Sequence, residues 1–220
     1  MTVRKLSWII LAILVADQAL KVYIKLNYSL TYYGNGPIVD WGWFRLLFVE
    51  NKGMAWGASL SDFLPFISED TAKLLLSICR LVAVSAIGFW LLRAVKLKVP
   101  KLQLIAVSLI FAGALGNIID SVFYGVLFSE TTYNQLATFM PEEGGYAPLM
   151  FGHVVDMFQF NVRWPNGLPY LGGSDVFPAI WNLADFCISV GLIWAIIRQK
   201  TFFPKDKNSE KVEEVSNELL

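Results

Sequence analysis

Residues 102–123 read LQLIAVSLIFAGALGNIIDSVF. The stretch carries one ionisable side chain, Asp120, and has the roughly 17–25 residues an α-helix needs to cross a bilayer. Ala112, Gly113, Ala114 and Gly116 leave one side of that helix thin, so another helix can approach closely. Asn117 and Asp120, three residues apart, share a face near its end. A charged side chain at the bilayer centre costs roughly 2.5–3.5 kcal/mol on insertion scales, so a carboxyl beside a span needs a partner or a task.

Three more stretches of comparable length and apolarity lie at about 6–24, 72–95 and 179–197. With 55% hydrophobic residues and only 16% charged, the chain exceeds the apolar share of a soluble domain. The expected architecture is an all-α membrane bundle of four transmembrane helices within one domain, 1–200. The polar residues 201–220 form a flexible tail. Arg4 and Lys5 precede the first span, and Arg93, Lys96, Lys98 and Lys101 crowd the short link between the second and third. Arg198, Lys200, Lys205, Lys207 and Lys211 follow the fourth. By the positive-inside rule both termini are cytoplasmic, and the loops 25–71 and 124–178 face outward.

The first outward loop contains Phe44 to Trp56, an apolar, β-prone run broken at Asn51-Lys52-Gly53. It predicts a strand pair turning there, the start of a small extracytoplasmic β-rich platform. The second is rich in Gly, Pro and aromatics, among them Tyr146, Trp164, Tyr170 and Trp181, which suit the headgroup level. Met1 to Lys25 reads as a retained helix rather than a signal peptide, because Asp17 and Lys21 interrupt it without a small-residue cleavage site.

Several function classes drop out. A net charge of zero leaves no basic footprint for nucleic acid. The single histidine, His153, excludes a two-histidine zinc site. Cys79 and Cys187 sit in apolar segments and read as small buried hydrophobes. No internal repeat suggests an inverted-repeat transporter.

The acids carry the chemistry. Asp17 and Lys21, four apart with the acid first, form an intrahelical pair. Arg80, inside the second span, has no partner at helical spacing and is expected to face protein, water or the outer interface. Asn182 and Asp185 repeat the spacing of Asn117 and Asp120. Asp156 ends Gly152-His153-Val154-Val155-Asp156. Two carboxylates in one poorly hydrated site share a proton and can then activate water, which points to an aspartic peptidase. On these grounds Asp120 and Asp156 are equal candidates beside Asp185.

Five ordered motifs resemble those of lipoprotein signal peptidase, the type II signal peptidase family. They are Asp17-Gln18-Ala19-Leu20-Lys21, Asn51-Lys52-Gly53-Met54-Ala55-Trp56, Gly113-Ala114-Leu115-Gly116-Asn117-Ile118-Ile119-Asp120, Gly152-His153-Val154-Val155-Asp156 and Phe177-Pro178-Ala179-Ile180-Trp181-Asn182-Leu183-Ala184-Asp185. The resemblance implies a catalytic dyad of Asp156 and Asp185. Asn51, Gly53, Asn117, Asp120, Asn182, Val154, Asp17 and Lys21 would bind substrate or support the site. It further implies cleavage before the lipid-modified cysteine of diacylglyceryl prolipoproteins, with no metal or cofactor. The enzyme would be a monomer among the lipids of the bacterial cytoplasmic (inner) membrane, with its site on the outer face and open to globomycin-type cyclic peptides.

The sequence departs from the family pattern twice. Ser121 stands where the family has arginine, and residues 128–151 look inserted, with Tyr133, Leu136, Phe139 and Met140 suited to a short docked helix and Gly144-Gly145 to a hinge. Two rival readings are a Ser–Lys hydrolase using Lys21 and a carboxylate-lined ion or proton pathway. The first needs a serine at the depth of Lys21, and the second needs acids spread through the membrane.

Overall fold

The computed structural model of the chain describes residues 1–31, 35–52 and 66–198. Helix α1 spans Val3–Asn27 behind Thr2, whose side chain accepts the Lys5 N–H at its N-terminus. Helix α2, Glu69–Lys96, starts behind Ser68 in the same way, with Glu69 and Asp70 in its first turn where the helix dipole favours acids. Helix α3, Lys101–Leu127, follows a short link ending at Pro100. Helix α4 is Leu183–Ile197.

Among the described residues, α2 and α3 are long and apolar enough to cross a membrane. Their outward faces agree with that, since Leu75, Ile78, Val82, Phe89 and Leu92 of α2 are all exposed. Cys79 is exposed on the same helix and not buried as its apolar setting suggests. The stretch expected as a fourth span, 179–197, is helical only from Leu183. Ile180–Trp181 pair as a strand and Asn182 caps the helix, so 15 residues remain.

Helix α3 touches α1, α2 and α4. A methyl group added at Gly113 would run into the Ala184 carbonyl of α4, and one at Gly191 would lie 2.6 Å from the Ala106 carbonyl. The bare glycine edge thus lets α3 and α4 meet backbone to backbone. Gly113→Ala is expected to push them apart, at a cost of about 1–3 kcal/mol. The check is a lowered unfolding temperature of the detergent-solubilised protein; an unchanged one would show that the helices have room to spare.

At the end of the bundle away from the α2–α3 link lies a four-stranded antiparallel sheet. Its strands are β1 (Val39–Asp40), β2 (Phe44–Asn51), β3 (Val154–Phe160) and β4 (Ile180–Trp181), in that order. The returning strand of the hairpin expected at Asn51-Lys52-Gly53 lies outside the described residues. Among the described residues β2 pairs with β1, which precedes it, and with β3 from the segment between α3 and α4, with Val49 opposite Asp156 and Asn51 opposite Val154. Gly53 and the rest of that motif, Met54 to Trp56, lie outside the described residues, as does the tail 201–220.

So short a sheet cannot stand alone and needs an apolar face to rest on. It finds one in Ile24, Phe48, Tyr124, Phe128, Ala137, Val155 and Met157, a buried cluster drawn from α1, both long strands, the end of α3 and the inserted segment. Burying Phe48 and Phe128 is worth roughly 1.5–3 kcal/mol each.

Residues 128–151 form no helix. Their backbone folds back along the end of α3, with Ala147 N–H bonded to the Gly125 carbonyl, Met150 N–H to Val122 and Gly152 N–H to Ser121. Pro141 and Pro148 oppose a helix here. Nor is Gly144-Gly145 a free hinge. A side chain at Gly145 would collide with the carbonyls of Gly125 and Val126, so the glycine serves close approach.

Candidate active site

A cavity of about 710 Å³ opens where the sheet meets α2, α3 and α4. Among the described residues its polar lining consists of Asn51, Arg80, Asn117, Asp156, Asp185 and Ser189; the rest is apolar and includes the aromatics Phe160, Phe177, Trp181 and Phe186.

Local sequence explains how the two aspartates come to face it. Strand β3 alternates sides, and Asp156 sits opposite Val49 in the ladder. Asp185 is the third residue of α4 and completes a capping box. The Asn182 side chain accepts the Asp185 N–H at 2.9 Å, while Asp185 Oδ2 accepts the Asn182 N–H at 3.3 Å. One carboxylate therefore starts the helix and lines the cavity.

Amides join the pair. Asn182 Nδ2 donates to Asp156 Oδ1 at 2.7 Å, and Asn51 Nδ2 donates to Asp156 Oδ2 at 3.1 Å. Asn117 Nδ2 donates to Asp185 Oδ1 at 2.8 Å, and its own oxygen accepts from Asn182 at 3.1 Å. Burial, then the nearby charge of Asp185, pushes the Asp156 pKa up to about 7, and the bonds from Asn51 and Asn182 only partly oppose this.

Asp120 is turned away from the cavity, which breaks its tie with Asp156. It is fully buried against Lys21, whose ammonium reaches Asp120 Oδ2 at 2.8 Å, Asp17 Oδ2 at 2.9 Å and Asn117 Oδ1 at 2.9 Å. Three acceptors use all three ammonium protons. Lys21 has no lone pair to act as a base, and the Ser–Lys reading fails on that. Gln18 Nε2 donates to Asp120 Oδ1 at 2.9 Å, and the Val155 N–H donates to Asp120 Oδ2 at 3.3 Å. Asp17 Oδ1 accepts the Ala184 N–H at 3.0 Å. Asp17, Lys21 and Asp120 thus brace the β3 and α4 backbone beside the two cavity aspartates. Val154 lines the cavity next to them.

A second buried cluster escaped sequence reasoning. Lys25 pairs with Glu50 and donates to Thr131 Oγ1 at 3.0 Å, and Thr131 donates to Glu50 at 2.8 Å. His153 Nδ1 lies 3.1 Å from the other Glu50 oxygen. Burial holds the imidazole below its ordinary range despite Glu50, so at neutral pH it is a hydrogen-bond donor rather than a charged partner. Burial alone would raise Glu50, but the bond from His153 and the Lys25 charge hold it below the usual carboxylate range. The signal was present in the sequence. Asp17, Lys21 and Lys25 recur every four residues and mark a polar face on an apolar helix.

Ser121, where the resemblance implies arginine, accepts a hydrogen bond from Arg80 Nη1 at 3.3 Å. Among the described residues no group of three or more His, Cys, Asp or Glu side chains is set to hold a metal ion.

Residues 9–201 match the family described as signal peptidase (SPase) II. A lipoprotein signal peptidase from Porphyromonas gingivalis is 39% identical over 195 residues, covering 86% of this chain and 80% of that protein. One from Amoebophilus asiaticus is 29% identical and covers 99% and 87%. A bacterial membrane enzyme solved by the in meso method at 2.3 Å superposes with a TM-score of 0.53 at 22% identity, over 93% of both chains, which shows a shared fold.

Proposed function

We propose that this chain, which belongs to the signal peptidase II family, uses Asp156 and Asp185 as its pair of catalytic carboxylates. It is an aspartic peptidase that removes the signal peptides of prolipoproteins. The observation that carries the assignment is the cavity itself: among the described residues Asp156 and Asp185 are the two carboxylates in its lining, cross-linked by Asn182 and Asn117.

In this reading Asp156 holds the shared proton and Asp185 is the base. Asp185 draws a proton from a water between the carboxylates, and the water attacks the carbonyl before the diacylglyceryl cysteine. Asp156 donates a hydrogen bond to that carbonyl oxygen, and its proton passes to the leaving amine as the bond breaks. Asn51, Asn117, Asn182 and Val154 hold the peptide or the dyad, and Gly53 belongs with them. Asp17, Lys21 and Asp120 support them. The aromatic wall of Phe160, Phe177, Trp181 and Phe186 suits a substrate whose acyl chains stay in lipid, and a globomycin-type cyclic peptide would compete for the same space.

All four helices cross the bacterial cytoplasmic membrane, the termini are cytoplasmic, the sheet faces outward and the enzyme acts as a monomer. In support, Arg4, Lys5, Lys96, Lys101 and Arg198 gather at the helix ends away from the sheet. The deciding experiment is incubation of the purified protein with a diacylglyceryl-modified precursor, scored for release of the signal peptide; an intact precursor would overturn the reading.

The pair also fixes a pH dependence. Below the upper apparent pKa it holds one proton, and above it both carboxylates ionise and no acid is left to polarise the carbonyl. The Asp156 value of about 7 puts that limb near neutrality. In the same assay kcat/KM is expected to fall about tenfold per pH unit above it. A rate that stays flat from pH 6 to 9 would contradict a shared proton.

A further inference from the structure

Strands β2 and β3 carry different chemistry on their two faces. Asn51, Val154 and Asp156 line the cavity, while Glu50 and Val155, opposite each other in the ladder, face the other way. Asn51 is the last residue of β2, where a ladder frays unless something pins it. Its neighbour Glu50 is pinned three ways. The Glu50 carboxylate pairs with Lys25 of α1, accepts from Thr131 of the inserted segment at 2.8 Å, and meets His153 Nδ1 at 3.1 Å. The Lys25 ammonium, fully buried, also donates to Thr131 Oγ1 at 3.0 Å and lies 5.1 Å from the centre of the Tyr146 ring. The His153 N–H donates to Tyr146 Oη at 2.7 Å. The inserted segment thus supplies Thr131 and Tyr146 to a charged cage on the back of the sheet. Helix α2 holds the end of that segment, with Lys73 donating to the Phe151 carbonyl at 2.7 Å and Ser77 to that of Met150 at 3.1 Å. Burying a carboxylate and an ammonium in this way carries a desolvation cost, and it gives little stability in return compared with an apolar core.

We propose that Glu50 is a positioning residue of this site: held from behind by Lys25, Thr131 and His153, it fixes the end of β2 so that Asn51 keeps its amide on Asp156 Oδ2. The inserted segment is the strap that completes the cage. The proposal rests on the peptidase reading of the cavity and adds a residue that acts on the chemistry without touching substrate. Asn51 moves with Glu50 because the two share a planar peptide unit. A misplacement of about 1 Å in a catalytic group can cost roughly 100-fold in rate. The same bond bears on protonation. Donation from Asn51 favours the ionised form of Asp156, so loosening it raises the Asp156 pKa above its value of about 7 and moves the falling limb of the rate to higher pH. Asp185 and Asn182 of α4, Lys21 of α1 and Arg80 of α2 also act on Asp156, and they are the same in every variant compared.

The test is cleavage of diacylglyceryl-modified precursor from pH 6 to 9, with each variant normalised to folded protein by its unfolding temperature. Glu50→Gln, which keeps the shape and removes the charge, is expected to lower kcat by roughly 10- to 100-fold with KM nearly unchanged. Thr131→Val cuts the same cage more mildly and should cost roughly 3- to 10-fold, the scale of one hydrogen bond. It decides the matter if Glu50→Gln does not fold. Each variant should move the falling limb to higher pH. Asn51→Ala supplies the cross-check: adding Thr131→Val to it should cause little further loss, because both act through one bond. A limb that stays in place, or losses that multiply with that of Asn51→Ala, would show a purely structural cage and overturn the proposal. So would Thr131→Val cleaving at the wild-type rate. If the wild-type protein itself leaves the precursor intact, the peptidase reading falls and the proposal with it; if it cleaves and the variants match it, this proposal alone falls.

Discussion

Asp156→Asn and Asp185→Asn are each expected to reduce prolipoprotein cleavage by roughly 10⁴-fold or more, because members of a catalytic unit fail together rather than additively. The two losses have different physical origins. Asparagine at 156 keeps the shape and a hydrogen-bond donor but can neither share nor deliver a proton. Asparagine at 185 would remove the proposed base, and it also weakens the capping box with Asn182 by about 1 kcal/mol. The double variant should be scarcely worse than either single one. Signal-peptide release measured on protein of verified unfolding temperature decides this. Near-normal turnover by Asp156→Asn would transfer the chemistry elsewhere, and Asp120 would be the first place to look.

The second large effect is on stability. Lys21→Met leaves Asp17 and Asp120 buried without their cation, and breaking a buried pair by removing one partner costs about 3–5 kcal/mol. Against a total stability of roughly 5–15 kcal/mol, that is enough to deplete the folded enzyme. The triple change Asp17→Asn, Lys21→Met, Asp120→Asn removes all three charges together and is expected to be the more stable of the two variants. Unfolding temperature and yield in mild detergent measure the contrast. If Lys21→Met alone melts like wild type, these three charges do not hold the bundle together.

Much of this was legible in the sequence. The apolar runs at 72–95 and 102–123 are helices α2 and α3 within a few residues, because length and composition suffice for a helix in lipid. Asp17 and Lys21 announced their pair by spacing alone. What stayed hidden depends on pairing across long separations. Asn51 meets Asp156 across 105 positions, and no local pattern in β2 says that its partner is β3. For the same reason Asp120 and Asp156 could not be ranked by chemistry. The difference between them is orientation, one buried against Lys21 and the other turned into the cavity. The inserted segment misled for another reason. Its apolar residues looked like a docked helix, yet Thr131 and Ala137 are buried in the core and its backbone bonds are taken by the end of α3.

The bond from Ala184 to Asp17 spans 167 positions, from α4 back to α1. Ribosomes release the chain from its N-terminus at roughly 5–20 residues per second. Asp17 and Lys21 emerge first, and being on one helix they neutralise each other at once. Asp120 and Asn117 arrive next. Asn182 and Asp185 follow only after a delay on the order of several seconds. The two cavity carboxylates therefore cannot meet until α4 has been delivered, and the proposed proteolytic competence waits on that step.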